Sequence, residues 1–121
     1  MPNAINWFEI PVVDFPRAKK FYNDIFGFEL YEETMGPYTM GFFPGEGGVS
    51  GAIVKGEGCK PSQEGTLVYL NGGDDLSKVL NKVEGAGGKI AMPKTEITPE
   101  IGFSAVFIDT EGNKVALHSP K

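Results

Sequence analysis

Apolar and polar residues alternate over residues 5–13, setting Phe8, Ile10 and Val12 on one side of an extended chain and Trp7, Glu9 and Pro11 on the other. The first set reads as core. The period then changes to a helical one. Ala18, Phe21, Tyr22, Ile25 and Phe26 form a stripe behind an N-cap at Asp14 and a first-turn Pro16, and the stripe stops at Gly27. Short apolar runs at 28–32, 38–43 and 49–54 predict strands, separated by Met35-Gly36-Pro37 and by the glycine-rich segment 44–48. The order is βαβββ.

Residues 55–64 carry glycine, proline, serine and charge without apolar periodicity and read as a linker. The pattern then restarts. A strand at 66–71 leads to an N-cap at Asp74 or Asp75 and to a stripe of Leu76, Val79, Leu80 and Val83, closed by Gly85, Gly87 and Gly88. Strands at 89–92, 103–108 and 114–118 follow, the last two joined by the turn 109–113. An offset of 61 carries Asp14 onto Asp75 and Gly27 onto Gly88, and sets Phe15 on Leu76 and Ala18 on Val79. The sequence therefore predicts one α+β domain over residues 1–121, built of two βαβββ modules at about 3–55 and 65–119. One helix cannot cover and close a module's sheet alone. Paired, the modules give a curved mixed sheet with the helices outside and a concave inner face, a natural ligand pocket.

Charge narrows the partners. A formal net charge of -5, with no cluster of lysine and arginine among 11 such residues, leaves nothing to neutralise a row of phosphates, so nucleic acid is excluded. No apolar run approaches the roughly 20 residues needed to cross a bilayer, so no membrane partner is expected. Met1-Pro2-Asn3 opens no basic leader, which predicts a cytoplasmic protein. The single cysteine, Cys59, cannot make an intramolecular disulfide and suits a reducing compartment; Lys60 beside it could lower the thiol pKa, but no base candidate accompanies it, and it reads as an unreactive loop thiol. The glycine-rich stretches 45–48 and 85–88 lack the spacing of phosphate loops. Asp74-Asp75 reads as capping rather than metal binding.

Ile10-Pro11-Val12-Val13-Asp14 running into Ala18-Lys19-Lys20-Phe21-Tyr22 and Phe26-Gly27-Phe28, with Asp109-Thr110-Glu111-Gly112-Asn113 near the other end, resembles the vicinal oxygen chelate superfamily. That superfamily contains glyoxalase I, extradiol dioxygenases and the bleomycin-resistance proteins. The resemblance covers nearly the whole chain and implies the paired βαβββ fold, a homodimer, and a metal held by one residue from each of four strands. Function must still be argued from those four positions. The family's first histidine falls on Trp7, its second-half counterpart on Leu67 or Val68 with Thr66 nearby, its C-terminal glutamate on Ala116, and the matching first-half position near Gly51. None supplies the imidazole, thiolate or carboxylate that a transition metal needs, so no metal and no other cofactor is expected at the usual site. Glyoxalase and dioxygenase chemistry are not expected either.

Strand alternation aims two ionisable groups inward, Glu9 two residues after Trp7 and His118 two residues after Ala116. Trp7 reads either as core filler or as the aromatic wall of the pocket, and Met40, Phe42 and Phe103 are candidates for the rest of its lining. The leading expectation is a metal-independent small-molecule-binding protein of the resistance-type branch, its ligand unknown, whose acidic pocket suits a cationic or hydrogen-bond-donating molecule. The alternative is a lyase or isomerase in which Glu9 and His118 form a proton-transfer pair, with or without a metal held in a non-standard way. A third reading makes the fold an interaction module with the cleft collapsed around Trp7.

Overall fold

Ile10 is buried and Phe8 half-buried while Trp7 and Glu9 stay exposed, so the first strand, β1 (Trp7–Pro11), keeps the alternation written in its sequence. The computed structural model describes residues 3–121; Met1 and Pro2, part of the start read as lacking a leader, lie outside them. Helix α1 (Phe15–Phe26) begins where Asp14 accepts the Arg17 N–H at 3.1 Å, with proline in its first turn. It ends at Gly27, whose φ of 74° closes the last turn through an N–H bond to the Asn23 carbonyl. The remaining elements are β2 (Tyr31–Met35), β3 (Tyr38–Phe42), β4 (Ser50–Lys55), β5 (Tyr69–Asn71), α2 (Ser77–Leu80), β6 (Lys89–Thr98), β7 (Gly102–Ile108) and β8 (Lys114–Ser119). Both halves are βαβββ.

The strands form two four-stranded mixed sheets, ordered β1-β4-β3-β2 and β5-β8-β7-β6, rather than one continuous curved sheet. In each, the first strand of the module runs parallel to its last, and the other pairs are antiparallel. One face of each sheet packs on the helices. Phe21, Tyr22 and Ile25 of α1 share a single core with Ile10 and Ile53 of the first sheet and with Leu70, Phe107 and Leu117 of the second. The Tyr22 hydroxyl, fully buried, donates to Asp109 Oδ2 at 2.8 Å; burial first, and then the Asp109 carboxylate, push its pKa well above the usual phenol value. The modules are thus held by their core as well as by the linker. Among the described residues no helix is long and apolar enough to cross a membrane.

Several element boundaries differ from the expected ones, among them the strand expected at 66–71, which forms only over Tyr69–Asn71, and four differences have a visible reason. The first strand stops short of Val13 because the Val13 and Asp14 N–H groups are taken by Glu111 Oε1, at 2.9 and 2.7 Å. The strand expected at 28–32 starts only at Tyr31, because Phe28 stacks on Phe26 and the Leu30 N–H is held by Asn23 Oδ1 at 2.8 Å. The second helix is a single turn. Its stripe Leu76, Val79, Leu80 and Val83 is buried as expected, but neither Asp74 nor Asp75 is its N-cap: Leu76 is, its N–H held by Ser119 Oγ, while Asp75 is drawn to Lys94 and to the Ser77 N–H. Those bonds, Lys94 first, hold the Asp75 pKa below the usual carboxylate range. The sixth strand runs on through Pro93 to Thr98, which an edge position and register shifts against β7 permit.

Candidate functional site

The strands β1 and β5 are each the terminal strand of their sheet, and between them lies a cavity of about 890 Å³. Trp7 and Glu9 reach it from β1, and Tyr69 and Asn71 from β5. Trp7 is 44% exposed and Tyr69 56%, which leaves both rings free to meet a ligand. The indole N–H of Trp7 donates a long hydrogen bond to Glu9 Oε2 at 3.4 Å, and the indole ring leans on Phe42, with ring centroids 5.9 Å apart. Trp7 is therefore exposed beside the cavity and is not core filler.

One end of the cavity is built by backbone ties. The Asn113 amide donates to the Pro11 carbonyl at 2.7 Å and accepts the Ser62 N–H at 3.1 Å, and the Lys114 N–H returns to the Ser62 carbonyl at 3.3 Å. These bonds bring the linker back to β8 beside the end of β1, so Lys60, Ser62 and Lys114 line this end. The other end, at the start of β1, is lined by Ile5 and Val49. The expected acidic pocket is not what forms, since its lining carries two lysines and one carboxylate, Glu9. Sequence reasoning missed both lysines as site residues. Nothing in the local pattern marks Lys60, which owes its place to the Ser62–Asn113 bond. Sequence reasoning also missed Tyr69, which its alternation with the core residue Leu70, like that of Glu9 with Ile10, could have revealed.

Other candidates lie elsewhere. Met40 is buried with Ala52 and Val54 in a small second cluster, against which Cys59 packs. Phe42 packs between Trp7 and Tyr31 on the first sheet. Phe103 rests against the main core, its ring 4.7 Å under the Lys94 ammonium. His118 sits on β8, where the ring Nε2–H donates to the Ile101 carbonyl at 2.7 Å, an acceptor that requires the proton on that nitrogen. Neither these three side chains nor Met40 lines the cavity, and the hydrogen bonds of Glu9 and His118 lead to Trp7 and to Ile101, not to each other.

Strand register aligns the two modules at the positions where the resemblance puts the family's ligands. Glu9 pairs with Ala52 as Tyr69 pairs with Ala116, and Ile10 with Ile53 as Leu70 with Leu117. At these strands the modules match Trp7 with Leu67, an offset of 60, and Ala52 with Ala116. The first-half counterpart of Ala116 is therefore Ala52, next to Gly51, which pairs with Phe8. Trp7, Leu67, Ala52 and Ala116 offer no metal donor, and among the described residues no group of three or more His, Cys, Asp or Glu side chains is placed to hold a metal ion. The donor set does not fit the metal that the fold implies.

A paired βαβββ fold with its cavity between the two sheets defines a class of proteins, and comparison places this chain in it. The family model of the Glyoxalase/Bleomycin resistance protein/Dioxygenase superfamily matches residues 4–117, and the chain belongs to that superfamily. It is 33% identical over 119 residues to a glyoxylase-like domain-containing protein of Didymella fabae, covering 93% of this chain and 91% of that one. Among solved structures it is similar to TnmS3, an antibiotic binding protein from Streptomyces sp. CB03234, with a TM-score of 0.69 and 26% identity, covering 100% of this chain and 99% of that one. A glyoxalase I variant from Zea mays shares the fold, with a TM-score of 0.73 and 21% identity; the match covers 97% of this chain but only 45% of the maize chain.

Proposed function

We propose that this protein is a metal-independent small-molecule-binding member of its superfamily, cytoplasmic and homodimeric, that holds its ligand between β1 and β5. The observation that carries the reading is the cavity itself: about 890 Å³, with the exposed rings of Trp7 and Tyr69 in its wall, and with Trp7 and Leu67 lining it at two of the four positions where the resemblance puts metal ligands. A volume of this order suits a drug-sized organic molecule. The similarity to an antibiotic binding protein supports binding rather than turnover. Exposed Tyr31, Met35 and Tyr38 on the first sheet supply apolar surface for a second copy.

A native mass spectrum of the freshly purified protein is expected to show a dimer without a stoichiometric transition metal. A bound zinc, nickel, manganese or iron in molar amount overturns metal independence, and a monomer at micromolar concentration overturns the dimer.

Trp7 is the chain's single tryptophan, so its fluorescence reports on the cavity directly. A ligand found by thermal-shift screening should change that emission. Its affinity should fall by about tenfold or more in Trp7→Ala, through loss of an aromatic anchor, and by a smaller factor in Glu9→Gln. Unchanged binding in both variants would remove the site from β1.

A further inference from the structure

The cavity has a charge of its own, opposite in sign to that of the whole molecule. The chain carries -5, yet the cavity lining holds Lys60 and Lys114 against the one carboxylate of Glu9. The four ion pairs among the described residues engage Arg17, Lys19, Lys20 and Lys94, and leave both cavity lysines without an acidic partner. Glu9 is already engaged by the Trp7 indole. The backbone segments that carry the two lysines meet at one end of the cavity, because the bonds among Pro11, Asn113, Ser62 and Lys114 tie residue 62 to residues 113 and 114. The rest of the lining sets the apolar and aromatic Trp7, Tyr69, Leu67 and Ile5 among the polar Asn3, Glu9, Thr66 and Asn71.

We infer that the ligand of this cavity is an amphipathic organic acid, with a flat apolar body lying against Trp7 and Tyr69 and a carboxylate held at the end formed by Lys60 and Lys114. The inference rests on the binding reading above and names its ligand class. Two lysines without an arginine fork act as point charges, suited to a monoanion that needs no bidentate clamp. Both are exposed, so pairing them desolvates little and strengthens binding only moderately. Their larger effect is selection, because a cationic molecule of the same shape meets two like charges. The preference is electrostatic and weakens as salt rises.

Three probes of one shape and different charge test this: 2-naphthoate, 2-naphthamide and 2-naphthylmethylammonium, each titrated while the single indole N–H resonance of Trp7 is followed by NMR. The expected order of affinity is naphthoate, then naphthamide, then the ammonium, with naphthoate about three- to tenfold tighter than naphthamide at low salt. In the Lys60→Gln/Lys114→Gln double variant that ratio should fall to about one. Equal affinities in the wild type, or an ammonium probe that binds tightest and loses its advantage in Glu9→Gln, overturn the acidic ligand and leave the binding cavity standing. An indole resonance that none of the three probes moves at millimolar concentration overturns the cavity reading with it.

Discussion

Replacing Glu111 with alanine should lower folding stability by about 2–3 kcal/mol, measured as a reduced urea midpoint. Its side chain has no solvent-accessible surface. Its Oε1 accepts the Val13 and Asp14 N–H groups at 2.9 and 2.7 Å, and its Oε2 accepts Arg17 Nε at 2.7 Å and the Thr110 hydroxyl at 3.1 Å. Alanine would orphan two backbone donors at the junction of β1 and α1; Val13 and Asp14 are exposed, so water recovers part of each bond and the cost stays near the lower end of the roughly 1–3 kcal/mol of a buried orphan. Arg17 is half exposed and recovers water, so it adds little to the loss. Glu111→Gln keeps an acceptor for the backbone and should fall between wild type and alanine.

The same carboxylate, together with the partly exposed Asp75, shapes the acid limit of the fold. Burial acts to raise the Glu111 pKa, but the bonds from Arg17, Asp14, Val13 and Thr110 outweigh it and hold the pKa below the usual glutamate value. A depressed folded pKa means that the contribution is complete above the unfolded value, about pH 4.3, and is lost as pH falls through the folded one. Tyr22 acts at the opposite limit. Its raised pKa stabilises the fold below the unfolded phenol value near pH 10, and that contribution is lost as pH climbs above it. A stability profile should be level between these limits, and Glu111→Gln should reduce the acid limb while leaving the alkaline limb unchanged.

Much of the fold was written locally. Asp14, Pro16 and Gly27 bracket α1 in the sequence as they do in the structure, and the offset near 61 foretold two modules with the same strand order. What the sequence hid depends on long-range partners. A proline and polar neighbours conceal the second half of β6, which only an edge position explains. A bond from Ser119 replaces the expected aspartate cap of α2. The cavity was half legible. Alternation put Trp7 and Glu9 on the open side of β1, but the charge balance of the site turns on Lys60, brought from an unpatterned linker by the side chain of Asn113.

Substituting Gly51 with valine should damage stability and binding together, and the coupling follows from how β1 is seated. Gly51 lies opposite Phe8 in the parallel pairing of β4 and β1. A Cβ built there would run into the Phe8 carbonyl and ring, and a backbone oxygen cannot step aside as a flexible side chain could. The only relief is to push β1 away from β4. Overpacking of this kind costs typically 1–3 kcal/mol, and the backbone clash puts this site at the upper end, about 3 kcal/mol in a urea melt. Because Trp7 and Glu9 flank Phe8 on the same five-residue strand, the displacement also moves one wall of the cavity. Affinity for a naphthoate-type probe should therefore fall even under conditions where the variant is fully folded. A variant that melts early yet binds as the wild type does would show that β1 shifts without carrying the wall, and that Tyr69 and the lysines hold the ligand from the β5 side alone.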